Sequence, residues 1–175
     1  KAINYGIKNA KGEIVVCLSG HCIPKDKFWL GNIIKHLSKK NIAGVYGKQE
    51  PLSFSKPNDK RDLKLTFGMD IKIQKKDYFF HNANSAFKKE IWKKYPFNEK
   101  ITNIEDREWG KRVIGDGLKI IYEPKASVYH YHGIHQNLKK ERAISVSNIM
   151  DIIDNDEKYK KKTLNNSKIF VIIPF

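Results

Sequence analysis

Short apolar runs alternate with amphipathic segments along most of the chain. Residues 13–18 form a continuous apolar run, which is typical of a strand buried on both faces of a parallel sheet. Residues 25–40 carry apolar side chains at helical spacing. Further strands are predicted at 43–49, 118–122 and 127–131, and further helices at 2–10, 88–94, 105–115 and 136–154. This alternation predicts an α/β fold with crossover connections between its strands.

Three polar loops lie where predicted strands begin or end. They span residues 19–24, 82–85 and 130–135. In open α/β sheets, ligands bind outside the carboxyl ends of the strands, so we expect these loops to meet at one edge. The start of the helix at 105–115 is expected to face the same edge. Residues 51–61 are polar, contain two prolines and are predicted to form a loop.

The chain is strongly basic. Its 175 residues carry a formal net charge of +15, while 40% are hydrophobic, which is enough for a packed core. Such a charge favours anionic partners, whether nucleotide phosphates, nucleic acid or a membrane surface, although a solvated lysine surface has the same composition. No zinc finger, helix-turn-helix or RNA-binding aromatic motif is present, which argues against nucleic acid. Residues 139–142 and 158–162 are basic enough to lie against anionic lipid, or to form solvated segments.

Two cysteines and the lack of long apolar runs bear on the compartment. Cys17 and Cys22 make neither a disulfide framework nor a zinc knuckle, which favours a reducing cytoplasm. No run approaches the length of a transmembrane helix, and no signal peptide is visible. We therefore predict a cytoplasmic protein, located peripherally on the inner face of the cell membrane if the basic segments contact lipid.

Two adjacent carboxylates, Glu105 and Asp106, open a predicted helix. A carboxylate at a sheet edge can serve as a general base, but acidic residues also stabilise the first turn of a helix. Asn82 and Asn84 carry amides suited to sugar hydroxyls, and asparagine is equally common in turns. The sequence leaves both pairs of alternatives open.

Two histidines, His130 and His132, alternate at the end of the strand predicted at 127–131 and therefore point to opposite faces. We expect at most one of them to face the site. His132 is nearer the loop and is the preferred candidate, while His130 is the candidate for a packing role.

Several segments, taken in order, resemble family 2 glycosyltransferases of the GT-A fold. The segment Asn4-Tyr5-Gly6-Ile7-Lys8-Asn9-Ala10-Lys11-Gly12-Glu13-Ile14 resembles the middle of such a domain. Asn82-Ala83-Asn84-Ser85-Ala86-Phe87 resembles the acceptor-side segment, and Glu105-Asp106-Arg107-Glu108-Trp109 resembles the helix with an acidic pair and tryptophan. The segments at 117–124 and 128–132 are similar to the closing strands. The resemblance covers roughly residues 1–135 and implies a mixed sheet flanked by helices.

The resemblance implies roles for individual residues. Asp106 would take the proton of an acceptor hydroxyl during an inverting transfer, and Glu105 would orient it. Asn82, Asn84 and Trp109 would lie on the acceptor side, although Trp109 is equally suited to the core. Contacts to the donor diphosphate would come from Ser19, His21, His132 and Arg112, although Arg112 also fits a solvated helix face.

The chain departs from the family pattern at the expected metal motif. The family holds Mg²⁺ or Mn²⁺ with an Asp-x-Asp motif, and Ser19-Gly20-His21 stands in its place, as in relatives that read Ser-x-His-Cys-Ile-Pro there. Hard cations prefer oxygen ligands, so the missing carboxylates argue against such a site. If a metal binds, His21 and His132 are the predicted ligands.

The resemblance also predicts how the chain is divided. Residues 1–135 correspond to the carboxyl-terminal two thirds of a GT-A domain, whose first strands would lie before Lys1. A trailing helix at 136–154 and a linker at 155–167 follow. Residues 168–175 resemble the first strand of a further, fused transferase domain. The sequence thus predicts a piece of a longer protein.

These patterns together predict an inverting glycosyltransferase. Its expected partners are a nucleotide-sugar donor and a hydroxyl of a cell-surface glycan or lipid-linked acceptor. Two alternatives remain at this stage. One is a degenerate module that binds a glycan or nucleotide without turnover, and the other is a basic protein that binds polyanions or a membrane surface.

Overall fold

The computed structural model describes residues 2–101, 103–130 and 170–172. It confirms the α/β class, with helices packed on a mixed sheet. The helices are α1 (Ala2–Asn9), α2 (Trp29–Ile34), α3 (Pro57–Thr66), α4 (Lys89–Lys94) and α5 (Glu105–Gly115). The strands are β1 (Ile14–Leu18), β2 (Cys22–Pro24), β3 (Ile42–Pro51), β4 (Lys72–Gln74), β5 (Asn84–Lys88), β6 (Lys119–His130) and β7 (Phe170–Ile172).

The sheet has the strand order β2-β6-β3-β5-β1-β7. Strands β3 and β6 are parallel, β5 is antiparallel to both β3 and β1, and β7 is parallel to β1. The outer edge of β6 is shared, because β4 pairs with its first half and β2 with its last residues. This arrangement brings the carboxyl ends of β1, β3 and β6 to the edge where β5 begins.

Both faces of the sheet are covered by a hydrophobic core. Alternate residues of β1 point to opposite faces, so Val15 belongs to one cluster and Val16 to the other. The first cluster packs under α1, α3, α4 and α5, while the second packs under α2 through Trp29 and Ile33. Burial on both faces explains why β1 is a continuous apolar run.

Helix α5 forms as the sequence predicts. Glu105 and Asp106 lie in its first turn, where negative charge favours the helix dipole, and Gly117 follows its end with a φ of 81°. Within the described ranges, every helix is too short or too polar to cross a bilayer.

Other elements differ from the prediction. Helix α2 is shorter than residues 25–40, and α3 forms where a loop was expected over part of its length, with Pro57 at its first turn. Strand β6 is one element rather than two, with an irregular register opposite Gly47 and Gln49.

The chain end is described only in part. The predicted helix at 136–154 and linker at 155–167 lie outside the described residues. Residues 170–172 form the expected strand, which pairs with Val15–Cys17 of β1 in the same sheet. Its assignment to a further domain stays a prediction.

Candidate active site

A continuous series of contacts crosses the sheet edge at which β1 and β6 end. Beyond β1, the backbone N–H of Ser19 donates to the carbonyl of Ala83 at 3.0 Å. Asn82, the residue before Ala83, donates its backbone N–H to Asp106 Oδ2 at 3.1 Å. The loop after β1, the loop before β5 and the start of α5 therefore meet, as the sequence predicts for ligand-binding loops in α/β sheets.

The loop after β1 turns back toward the end of β6. His21 Nε2 lies 2.9 Å from His130 Nε2, and Ser19 Oγ lies 3.1 Å from His21 Nε2. Cys22 pairs with His130 across the antiparallel β2–β6 ladder, so their side chains share a face. His21, Cys22 and His130 offer ligand atoms that all lie within 4.8 Å of one another.

The histidine of β6 that meets His21 is His130, and not the preferred candidate His132. His130 is 2% exposed and pairs with Cys22, which fixes the face toward which it points. His132 lies outside the described residues, so its predicted contacts with the diphosphate or a metal stay predictions.

Asp106 holds the acceptor-side loop against α5. Its carboxylate is 8% exposed and uses both oxygens, since Oδ1 accepts the backbone N–H of Arg107 at 2.8 Å and Oδ2 accepts that of Asn82. Each carboxylate oxygen retains a further lone pair. The geometry therefore combines the capping role and a carboxylate able to accept a proton.

The electrostatics of this acidic pair favour bound protons. Burial raises the pKa of Asp106, although hydrogen bonds from Asn82 and Arg107 oppose that shift. Burial also raises the pKa of Glu105, and the neighbouring charge of Asp106 adds to the effect. A carboxylate with a raised pKa is a better proton acceptor near neutral pH.

Asn82 presents an unused donor beside Asp106. Its Oδ1 lies 3.4 Å from Ser85 Oγ, while its Nδ2 is buried and makes no hydrogen bond to any described residue. Buried amide donors are normally paired, so an unpaired one at the site is suited to a ligand.

Asn84, by contrast, is used completely within the fold. It is fully buried, its Oδ1 accepts the indole N–H of Trp29, and its Nδ2 donates to the carbonyls of Lys48 and Ala126. These bonds hold β3, β5 and β6 to α2. The acceptor-binding role predicted for Asn84 is therefore replaced by a structural one.

Trp109 and Arg112 also lie in structural positions. Trp109 is fully buried, with its ring centroid 4.7 Å from that of Phe80, so it fills the core rather than facing a sugar. Arg112 forms a two-pronged ion pair with the buried Glu108, with both nitrogen–oxygen distances at 2.7 Å, and also donates to the Pro96 carbonyl. We leave both residues out of the proposed site.

Gln49 and His81 line the site but were not predicted from the sequence. Gln49 Nε2 lies 3.1 Å from His81 Nδ1, and the backbone N–H of Ala83 lies 3.3 Å from the same nitrogen. The polar run from His81 to Ser85 was the available signal, but only the β3–β5 pairing brings Gln49 beside it.

The described residues do not suit the hard cation implied by the family. Around Ser19 and His21 they offer imidazoles, a thiol and a hydroxyl, whereas Mg²⁺ and Mn²⁺ prefer carboxylate and carbonyl oxygens. We therefore derive no catalytic step through Mg²⁺ or Mn²⁺.

Comparison with known proteins agrees with this architecture. The chain is 27% identical over 132 residues to the O-antigen chain rhamnosyltransferase WbaN of Salmonella anatum, covering 70% of this chain and 42% of the relative. The fold is similar to that of the mannosyltransferase PcManGT of Pyrobaculum calidifontis, solved in complex with GDP-Man and Mn²⁺. That match has a TM-score of 0.51 and 21% identity, and covers 74% of this chain and 36% of the other.

These likenesses fix the family and the fold. The solved structure bears on the fold alone and confirms the GT-A type of sheet. The chain spans less than half the length of either relative. The family described as Glycosyl transferase family 2 matches residues 1–95, which is more than half of the 175 residues. The chain therefore belongs to glycosyl transferase family 2.

Proposed function

We propose that the protein to which this chain belongs transfers a sugar, with inversion, from a nucleotide-sugar donor to a hydroxyl of a cell-surface glycan or lipid-linked acceptor. The observation that carries the proposal is the pairing of Asp106 with Asn82 at the sheet edge. A buried carboxylate and an unused amide donor lie side by side there, next to the loop of Ser19 and His21.

In the proposed reaction, the acceptor hydroxyl oxygen attacks the anomeric carbon of the donor sugar. The bond from that carbon to the diphosphate breaks on the opposite face, and the nucleoside diphosphate leaves with the electron pair. Asp106 takes the hydroxyl proton, and its raised pKa suits that task. The Asn82 amide donates to an acceptor hydroxyl, while Glu105 orients the Asp106 carboxylate.

Ser19 and His21 are the proposed contacts to the donor diphosphate. Both lie on the loop after β1, and the Ser19 hydroxyl and the His21 ring are already within hydrogen-bonding distance of each other. A hydroxyl and an imidazole are able to donate hydrogen bonds to phosphate oxygens. His132 remains a proposed third contact.

A lipid-linked acceptor requires the enzyme to work at a membrane surface. The segment from the last turn of α3 to just beyond β4 supplies a suitable surface, since Leu65, Met69, Ile71 and Ile73 are 50–78% exposed. Four lysines of the same stretch lie among these apolar side chains, which favours anionic headgroups: Lys64, Lys72, Lys75 and Lys76. We propose this segment, 64–76, as the membrane-contact segment.

The test uses the intact parent protein and a panel of nucleotide sugars that includes activated rhamnose and mannose. Release of nucleoside diphosphate is followed in the presence of a lipid-linked acceptor, for the wild type, Asp106→Asn and the exposed-carboxylate control Glu99→Gln. We expect release by the wild type and Glu99→Gln, and its loss in Asp106→Asn. Equal release by Asp106→Asn would refute the proposed base.

The degenerate binding module gives a different result. It would bind a nucleotide sugar or glycan in a folded protein, yet release no diphosphate with any donor. The observation that favours this alternative is the absence of carboxylates from Ser19-Gly20-His21.

A further inference from the structure

The contact between His21 and His130 joins two segments that are far apart in sequence. Their Nε2 atoms lie 2.9 Å apart, and their ring centroids lie 4.8 Å apart. His130 is almost fully buried, and Cys22, at 7% exposure, lies opposite it on the neighbouring strand. Two imidazoles and a thiol therefore converge at one end of the sheet.

The spacing of the three ligand atoms fits a shared cation. Two nitrogens bound at about 2.1 Å to one tetrahedral metal ion lie about 3.4 Å apart. The observed Nε2–Nε2 distance is 2.9 Å, so the two rings would have to move apart by about 0.5 Å to reach that spacing. The Cys22 sulfur and one ring nitrogen of each histidine all lie within 4.8 Å of one another. A simple hydrogen bond between the imidazoles would explain the nitrogen–nitrogen distance, but it would give the thiol no part.

We propose that His21, Cys22 and His130 bind a borderline divalent cation, such as Zn²⁺ or Co²⁺, in place of the hard cation of carboxylate-bearing relatives. Imidazole and thiolate are the ligands that such cations prefer, whereas Mg²⁺ gains little from them. On binding, the Cys22 thiol gives up its proton to solvent and the sulfur becomes the third ligand. The three protein ligands leave a coordination position open beside Ser19.

The position of the site gives it a role in the proposed function. It includes His21 of the loop that we propose to contact the donor diphosphate, so the open position would face a phosphate oxygen of the donor. This inference rests on the proposed function for that role, but the cation site itself does not depend on sugar transfer.

The test is a titration of the untagged 175-residue chain with Co²⁺, followed by absorption. We expect binding of one ion, with a cobalt–thiolate charge-transfer band that Zn²⁺ abolishes by displacement and Mg²⁺ leaves unchanged. Cys22→Ser should lose the band, and His21→Ala should weaken binding by at least about tenfold, the loss that even outer ligand partners cause. His36→Gln, at a histidine that contacts Glu123 and lies outside the cluster, should bind as the wild type does.

Three results would overturn the site. They are a folded wild type that binds no Co²⁺, a charge-transfer band that persists in Cys22→Ser, and equal affinity in His21→Ala. Since His21 is only partly buried, its variant keeps the test decisive if Cys22→Ser fails to fold. Diphosphate release without cobalt binding would refute this inference alone, and cobalt binding without release from any donor would refute the proposed function alone.

Discussion

At the scale of single residues, Asp106 both holds the loop before β5 by hydrogen bonds and is the proposed base. The Asp106→Asn substitution affects both roles. Each of its oxygens accepts a backbone N–H, from Arg107 and from Asn82. Asparagine offers one acceptor oxygen and would turn its own N–H toward one of those donors. Asp106→Asn therefore removes a proton acceptor and also loosens the loop, so stability must be measured beside activity.

The pH dependence of transfer gives a cleaner signature of the base. Burial raises the pKa of Asp106, and the base works only when it is deprotonated. We expect kcat/KM of the intact enzyme to rise with pH through a value above the ordinary aspartate pKa and then to level off. Asp106→Asn should lower kcat by about 10²–10⁴-fold and abolish this rise. An unchanged acid limb in the variant would contradict the assignment.

Asn82 and Asn84, one in the loop before β5 and one at the start of that strand, offer a matched pair of variants. Asn84→Ala removes a buried amide that satisfies three groups, and we expect it to lower the free energy of unfolding by more than about 3 kcal/mol. Asn82→Ala removes a weakly bonded side chain and should cost less than about 1 kcal/mol. Urea denaturation measures both.

Of these two variants, Asn82→Ala should have the smaller effect on stability but a direct effect on acceptor binding. Asn82→Ala, with its fold intact, should raise the acceptor KM of the intact enzyme several-fold, because it removes the donor that we place against the sugar. Unchanged acceptor kinetics in a stable Asn82→Ala protein would remove Asn82 from the site.

The sequence predicted the meeting of loops but not every residue in it. Local pattern placed the loops of Ser19, His21 and Asn82 and the start of α5 at one edge, and the family resemblance then predicted which of their residues belong to the site. The sequence analysis preferred His132 to His130, but His130 is the histidine that meets His21, because it is the residue that pairs with Cys22. Pairing between distant strands cannot be predicted from the local sequence pattern. For the same reason, the sequence did not predict that Gln49 lies at the site.

At the scale of elements, prediction succeeded where amphipathic pattern and end signals agreed. Helix α5 has an acidic first turn, buried positions at helical spacing and a glycine just beyond its end. Helix α3 lacks such a pattern, with Leu63 as its buried residue, and depends on Pro57 at its start and on packing against β3. Two strands were predicted at 118–122 and 127–131, but β6 runs through Pro124 as one strand, with an irregular register opposite Gly47 and Gln49.

The end of α2 is attached to β6 through Glu123. This carboxylate is 3% exposed and accepts from His36 at 2.7 Å, from Lys35 at 2.8 Å and from the Lys125 backbone at 3.0 Å. Burial alone would raise the pKa of Glu123, but the hydrogen bonds from Lys35 and His36 outweigh it and lower the pKa.

We expect Glu123→Gln to lower the free energy of unfolding by about 1–3 kcal/mol at neutral pH. Because the folded-state pKa is lowered, the stabilisation is present above the ordinary glutamate pKa and is lost as pH falls through the folded value. The difference between wild type and variant should therefore shrink in acid. Urea titrations at several pH values measure it, with the exposed Asp70→Asn as control, and a pH-independent difference would contradict the ion-pair account.

At the scale of the whole molecule, the proposed membrane-contact segment carries four lysines and Asp70, and so a part of the net charge of +15. The membrane-contact segment combines exposed apolar side chains with lysines, which is the combination that binds anionic interfaces. The full chain should sediment with vesicles rich in phosphatidylglycerol, more than with neutral vesicles. Replacing Met69 and Ile71 by serine should weaken this binding several-fold, whereas Tyr5→Ser, an equally exposed side chain on α1, should not. Equal binding by the two variants would contradict the location.

The strand order also joins both halves of the proposed site to one rigid sheet. The loops of Ser19 and Asn82 flank the paired strands β1 and β5, and His130 ends β6, which runs beside β3. Residues of the donor side and the acceptor side are therefore positioned by hydrogen-bonded neighbours rather than by independent loops.

Gly47 in β3 has a consequence for how this protein can vary. A Cβ atom at this position would overlap the carbonyl oxygen of Ala126 and the Asn84 amide, both of which are fixed within the sheet. A saturation library should accordingly recover only glycine at position 47, while Gly31 and Gly68, with open space around them, should accept alanine. Natural homologues that keep Asn84 are expected to keep Gly47 with it, so the two positions should be inherited as a unit.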